Sequence, residues 1–370
     1  MKLILSAAAL MLVPSLAQAQ TFKSSAGDLK LETVASGLVH PWSLAFLPDG
    51  RMLVTERPGR MRIVTRDGKL SAPLGGVPAV HSGGQAGLLD VALDKSFAQN
   101  STIYFCFNAT AGNNVAVMRA HLDPAGTTLD GVKEIYRQKG PGGQANVACR
   151  IAQAPDGNLF VSLGDHFGAK EDAQKLDNAI GKIVRITPDG AVPDGNPFAG
   201  KDGALPEIWS YGHRNAEGLA FNPADGKLWE QEHGPMGGDE INVIEKGKNY
   251  GWPVVSYGVN YDGTPVGTGK QQAPGLVDPI WHWTPSIAPS GMAFIAGDLF
   301  KGWKGSLING ALKFQLLSRL ELSGDKAVKE ERLLQDLHER IRDVRQGPDG
   351  ALYLLTDNEA GRILRLSPAP

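Results

Sequence analysis

The sequence predicts an all-β protein, a six-bladed β-propeller, on three observations. Its 370 residues include 46 Gly and 24 Pro dispersed among many short apolar runs, the composition of a turn-rich strand protein. A strand–turn–strand unit recurs: "LAFLPDGRMLVTE" (Leu44 to Glu56) is echoed by "IAQAPDGNLFVSLGD", "LAFNPADGKLWEQEHG" and "VRQGPDGALYLLTD". Each copy is followed by a further strand, "GRMRIV", "GKIVRI", "DEINVI" or "GRILRL".

Two degenerate copies, from Leu88 and from Gly291, fill the gaps, so units start near residues 44, 88, 151, 219, 291 and 344. That spacing of about 45 to 70 residues suits one four-stranded blade plus variable loops. The segment Leu31–Val34 is placed to complete the last blade and leave no free edge. Unequal unit lengths and the lack of capping repeats weigh against a solenoid.

The N-terminus, "MKLILSAAALMLVPSLAQAQ", has one Lys, a short apolar run, and Ala17 and Ala19 at the −3 and −1 positions of a cut after Ala19. It reads as a secretory signal peptide over residues 1–19, leaving residues 20–370 as a single exported, periplasmic propeller without membrane insertion. Lys plus Arg (37) nearly balances Asp plus Glu (39), so no basic surface for nucleic acid is expected. Cys106 and Cys149 could form a disulfide in an oxidising compartment or serve as two small buried apolar side chains; the sequence leaves both open.

Four loops carry chemistry. In "HSGGQAGLLDV", consecutive glycines allow close backbone approach and Gln85 offers donor and acceptor, though a plain inter-blade loop would look similar. In "YGHRNAEGLAF", Arg214 brings a fixed charge suited to an anionic oxygen and Asn215 an amide, or the pair forms a blade-to-blade surface turn. In "EQEHGPMGGDEINVIEKGKNYGWP", the Gly234 and Pro235 carbonyls and several carboxylates offer the oxygens a hard cation such as Ca²⁺ takes, or make an acidic solvent loop. Lys313, Arg340 and Arg342 make a cationic set; the two arginines, two apart on one strand face, call for an anion between them or for Glu339 or Asp343 as partners, although Asp343 should face the other way.

With these residues in view, the chain resembles the soluble pyrroloquinoline quinone (PQQ)-dependent sugar dehydrogenases of the glucose/sorbosone and aldose sugar dehydrogenase type. The resemblance spans roughly residues 34 to 367 and rests on "GGQAGLLDV", "YGHRNAEGLAFNP", "EHGPMGGDE…NYGWP", "PSIAPSGMAF" and "RIRDVRQGPDGALYLLTD". It implies a six-bladed propeller that oxidises a sugar and passes electrons to an acceptor. It further implies PQQ contacts at Gln85, Arg214, Asn215, Lys313, Arg340 and Arg342. A Ca²⁺ would be held by the Gly234 and Pro235 carbonyls, and a second, structural Ca²⁺ by Glu240 and Tyr250. Arg214 would polarise the quinone carbonyl.

The chain departs from that pattern at the base. Where the family has His-Phe-Gly-Ser-Arg, this chain reads Asn146-Val147-Ala148-Cys149-Arg150, and an amide cannot replace imidazole as a base. Met236 also stands where many relatives have a basic residue. His166, His81 or His282 could substitute, turnover could be slow, or the propeller could bind PQQ or sugar without turnover. A calcium-dependent propeller hydrolase of the lactonase kind is the rival enzyme, and it would need carboxylates and an Asn converging on one central metal.

Overall fold

The computed structural model describes residues 20–370, so the signal peptide expected at 1–19 lies outside the described residues. Six antiparallel sheets follow one another along the chain. Their first strands are Pro41–Phe46, Leu88–Leu93, Ile151–Gln153, Ala216–Phe221, Pro289–Phe294 and Ile341–Gln346, each at one of the six repeat starts read from the sequence. These strands abut their neighbours around the ring, as the blades of a propeller do. We number the blades 1 to 6 in that order.

The repeated Asp-Gly turn explains the regularity. Gly50 and Gly157 adopt φ of 85° and 89°, a region that costs a side-chain-bearing residue but not glycine. These two turns close alike, Gly50 N–H donating to Leu47 O and Gly157 N–H to Ala154 O, both at 2.9 Å. Alternation along the strands then sends apolar side chains between blades. Trp42, Tyr104, Ile151 and Val161 share one such buried layer. Burying a side chain of that size stabilises by roughly 1.5–3 kcal/mol.

The ring closes as expected. Leu29–Leu38 pairs antiparallel with Gly361–Pro368, Leu31 opposite Leu366 and Leu38 opposite Gly361, so the N-terminal strand completes blade 6. Cys106 of blade 2 is bonded to Cys149 at the entrance of blade 3, their Cα atoms 6.5 Å apart; of the two readings left open, the disulfide is the one realised. Among the described residues no helix is long and apolar enough to cross a membrane.

Near the axis, Arg150 ties the blades together. Its Nη1 lies 2.9 Å from Asp343 Oδ1 and 3.4 Å from Asp90 Oδ1, its Nε donates to Glu217 O, and its guanidinium lies 4.1 Å from the centre of the Trp42 ring. One buried cation thus contacts blades 1, 2, 4 and 6. Its two carboxylates and carbonyl answer the desolvation that an isolated buried charge would suffer.

Candidate active site

A cavity of about 450 Å³ opens among the blade-connecting loops; its walls include Gln85, Glu217, His233, Gly234, Pro235, Tyr261, Lys313, Arg340 and Arg342. A second cavity of about 420 Å³ adjoins it, since Pro235 and Tyr261 line both, and is walled by Asp165, Phe167, Arg214 and Trp252. All four loops singled out in the sequence therefore supply the first cavity, the Arg214 loop through Glu217, while Arg214 itself lines the second together with Pro235 and Trp252.

The cationic wall is organised by a carboxylate that the sequence did not indicate. Asp357 Oδ2 lies 2.8 Å from Arg342 Nη2 and 3.4 Å from Arg340 Nη2, and Oδ1 lies 2.8 Å from His40 Nδ1. Burial opposes ionisation of Asp357, but Arg342, His40 and Arg340 together hold its carboxyl well below the usual carboxylate range. Arg342 also reaches Glu217 Oε2 at 2.9 Å. Neither partner considered from sequence is used. Glu339 pairs with Arg362, and Asp343 faces Arg150 and Arg345 on the other side of the strand. Arg342 is thus largely neutralised, whereas Lys313 and Arg340 remain exposed to the cavity.

Arg214 is buried, its guanidinium 5.2 Å from the centre of the Trp252 ring, with Nη1 donating to His233 O at 3.1 Å and Gly234 O at 2.8 Å. One of the two carbonyls expected to face a cation is therefore already engaged by Arg214. Beneath that turn, Asp239 accepts from Gly234 N–H at 2.9 Å, placing a buried carboxylate behind the Gly-Pro carbonyls. Asn215 does not line either cavity: its Oδ1 accepts from Ala148 N–H and its Nδ2 donates to Glu217, so it braces the wall rather than facing it.

Asn146 has φ of 50°, a left-handed conformation that Asn tolerates better than most residues. Its N–H donates to Gln85 Oε1 at 2.6 Å, and its Nδ2 donates to Asp165 Oδ1 at 2.8 Å. Asp165 also accepts from Trp252 Nε1 and from Phe167 N–H, both at 2.8 Å. Burial raises its pKa despite those donors and Arg214. None of the three histidines considered as substitutes lines either cavity. His166 sits in a separate depression with Nδ1 on Pro141 O, and burial pushes its imidazole down to about 4. His81 meets Gln144, and His282 stacks on Tyr257 on the last strand of blade 4.

The histidine that does line the cavity is His233, absent from the sequence reading although it sits inside the "EHGP" run. Its Nε2 is 2.7 Å from Pro289 O; a carbonyl only accepts, so Nε2 carries a proton, and in the neutral ring Nδ1 is the nitrogen with the lone pair. Trp252, Tyr261 and Glu217 were likewise not singled out. Glu217 and Trp252 lie inside quoted runs and Tyr261 just beyond one, but position in a run alone does not say which way a side chain points.

Of the expected second metal pair, Tyr250 would contribute through its carbonyl. Tyr250 donates its hydroxyl to Val243 O and accepts from Glu245 N–H, each at 2.7 Å, and its own N–H goes to Tyr211 O, which leaves its carbonyl. Glu240 stands opposite Glu232 on the neighbouring strand of blade 4.

Comparison with known proteins agrees with this architecture. The profile of the Glucose / Sorbosone dehydrogenase family matches residues 38–365. An aldose sugar dehydrogenase of Escherichia coli (strain K12) is 41% identical over 363 residues, covering 96% of this chain and 98% of that protein. The crystal structure of the soluble E. coli aldose sugar dehydrogenase in the apo-form superposes with a TM-score of 0.89 over 92% of this chain and 100% of that one. The PQQ-bound aldose sugar dehydrogenase of Streptomyces coelicolor gives 0.77 at 31% identity, covering 95% and 98%. Fold and sequence agree over nearly the whole described chain, and the protein belongs to the glucose/sorbosone dehydrogenase family.

Proposed function

We propose that the protein is a periplasmic quinoprotein dehydrogenase that oxidises aldose sugars, or related alcohols, at C1, using PQQ and Ca²⁺ in the central cavity. The observation that carries this reading is a positive wall whose carboxylates, Asp357 and Glu217, answer only part of its charge. Lys313 and Arg340 are exposed to the cavity, and Arg214 and Arg342 each keep a buried Nε without a partner. Such a wall fits a small polyanion, and PQQ is a tricarboxylate. Lys313, Arg340 and Gln85 would hold its carboxylates, with Arg214 at its carbonyl end. The Pro235 carbonyl, with the second lone pair of the Gly234 carbonyl whose first accepts from Arg214, would contribute to a Ca²⁺ whose remaining ligands come from the cofactor. When bound, PQQ supplies the quinone that accepts hydride.

The residues of this chain do the rest. Phe167 and Tyr261, with ring centres 6.1 Å apart at the edge of the second cavity, offer an apolar face for a sugar ring. Arg214 sits between that cavity and the Gly-Pro turn, where its fixed charge stabilises negative charge as it develops. The C1 hydroxyl proton needs an acceptor, and the walls offer two, His233 Nδ1 and the Asp165 carboxylate. Asn146 is not itself a base; it holds Asp165.

The hydrolase reading lacks its requirement. Around the axis Asp90, Asp343 and Glu217 are each paired with arginine instead of converging free on a metal. A purely binding propeller would not need two Brønsted bases in the cavity walls. The test is to titrate the protein with PQQ and Ca²⁺, follow quinone absorbance, and then add aldose. Binding followed by bleaching supports the dehydrogenase, binding without bleaching reduces it to a binder, and no binding overturns the reading. The electron acceptor would be identified by the same assay with candidate acceptors in place of dye.

A further inference from the structure

On one face of blade 4 the alternation of two strands gathers an unusual set of polar groups. Leu228–Glu232 and Asp239–Ile244 pair with Glu230 opposite Asn242 and Glu232 opposite Glu240, so all four side chains share that face. Glu230, Glu232 and Asn242 are buried, and among the described residues no Lys or Arg forms an ion pair with Glu230, Glu232 or Glu240. Buried carboxylates without a counter-charge are costly, and proteins answer the cost with a cation or a proton.

His213 reaches the same spot from the connection between blades 3 and 4. It is fully buried, and its ring stacks on Tyr250 with centres 4.7 Å apart. Its Nε2 is 2.8 Å from Ser210 Oγ. Its Nδ1 has no hydrogen-bond partner and points at Glu232 Oε1 from 3.9 Å, too far for a hydrogen bond but suited to two atoms facing a common ion. Glu230 Oε1 and Asn242 Oδ1 are also buried and unpartnered. His213, Glu230 and Glu232 each present one donor atom, all within 4.8 Å of one another.

We propose that His213, Glu230 and Glu232 form a buried site for a divalent transition-metal ion, with Asn242 Oδ1 as a further polar wall. One imidazole nitrogen and two carboxylate oxygens suit Zn²⁺, Mn²⁺ or Co²⁺, whereas Ca²⁺ takes oxygen alone. This separates the site from any oxygen-only pair made by Glu240 and the Tyr250 carbonyl. Ser210 is the outer partner: with Nε2–H donated to its hydroxyl, His213 keeps the Nδ1 lone pair for the metal. Glu232 uses one oxygen for the ion and the other for the Arg214 backbone N–H, so occupancy would also fix the segment that carries Arg214. The site does not depend on PQQ.

The test uses Co²⁺ as the probe. The protein is unfolded in urea with chelator, then refolded in excess Ca²⁺ with and without Co²⁺, so that oxygen-only sites are already filled. The expected result is one equivalent of Co²⁺ retained after gel filtration, visible d–d absorption, and a melting temperature raised by several degrees. Glu230→Gln, which keeps the shape and the Asn242 contact, should abolish all three, while Glu240→Gln should retain them. No Co²⁺ retained by wild type, or retention unchanged in Glu230→Gln, overturns the site. Should the variant not refold, perturbation of the His213 imidazole resonances on adding Co²⁺ to wild type decides: broadening or shift supports the site, and no change refutes it.

Discussion

Asn146 Nδ2 donates to Asp165 Oδ1 at 2.8 Å, so the position where relatives are expected to carry a histidine here anchors a carboxylate in the wall of the second cavity. An imidazole at 146 would inherit that carboxylate as its orienting partner. We therefore expect Asn146→His to raise sugar-dependent dye reduction at least tenfold in PQQ- and Ca²⁺-loaded protein, within the usual 10²- to 10⁴-fold contribution of a general base. Steady-state kcat checks it, and an unchanged kcat would show that this position does not limit the rate.

In the unmodified protein the two remaining bases are separable. If Asp165 takes the proton, Asp165→Asn lowers kcat at least a hundredfold while PQQ binding persists. His233→Gln would then change kcat by less than tenfold. The opposite pattern assigns the proton to His233 Nδ1. Single-turnover bleaching of the bound quinone measures both without interference from the electron acceptor.

Lys313 lines the cavity, is exposed, and makes no ion pair among the described residues. Lys313→Gln should therefore weaken PQQ binding by about tenfold or more, the scale of one charge-assisted contact, and leave the melting temperature within a degree of wild type. Asp357→Asn should do the reverse. It leaves Arg342 with one carboxylate partner fewer in a buried site and costs about 3 kcal/mol of stability by urea denaturation. Because the folded state depresses the Asp357 pKa, its contribution is present above about pH 4 and lost as pH falls further, and the variant should lack that part of the acid sensitivity.

His166 has the corresponding window at higher pH. Its imidazole is buried and titrates at about 4, against about 6.5 when unfolded, so the unfolded chain binds the extra proton first. Stability is complete above about pH 6.5 and declines toward pH 4, by roughly 3 kcal/mol over the window. Melting temperatures at pH 7, 6, 5 and 4 test this. His166→Asn, which suits the φ of 53° at that position, should flatten the decline.

The Cys106–Cys149 bond closes a loop with a sequence separation of 43 residues. A chain-entropy argument gives it roughly 4 kcal/mol of stabilisation. Urea midpoints with and without reductant, or of the double Cys→Ala variant, read this directly. Equal midpoints would show that packing alone joins blades 2 and 3 here.

The sequence by itself determined the architecture. The strand alternation is local and recurs in six units, four of them marked by an Asp-Gly turn and two degenerate, and so fixes blade number, blade start and the closing strand without long-range information. It also marked most of the cavity's charged positions, because Lys313, Arg340 and Arg214 sit in loops where a charge has little structural use. What only the tertiary structure decided is which charges are answered. Asp357 between Arg340 and Arg342, Asp165 beneath Asn146, and His213 opposite Glu232 join residues 15 to 19 apart in sequence through blade packing that no periodicity encodes. A side chain's type is written in the sequence. Its partner depends on how neighbouring strands and loops meet around the axis, and that meeting decides whether a buried charge is neutralised, poised to move a proton, or left open for a ligand.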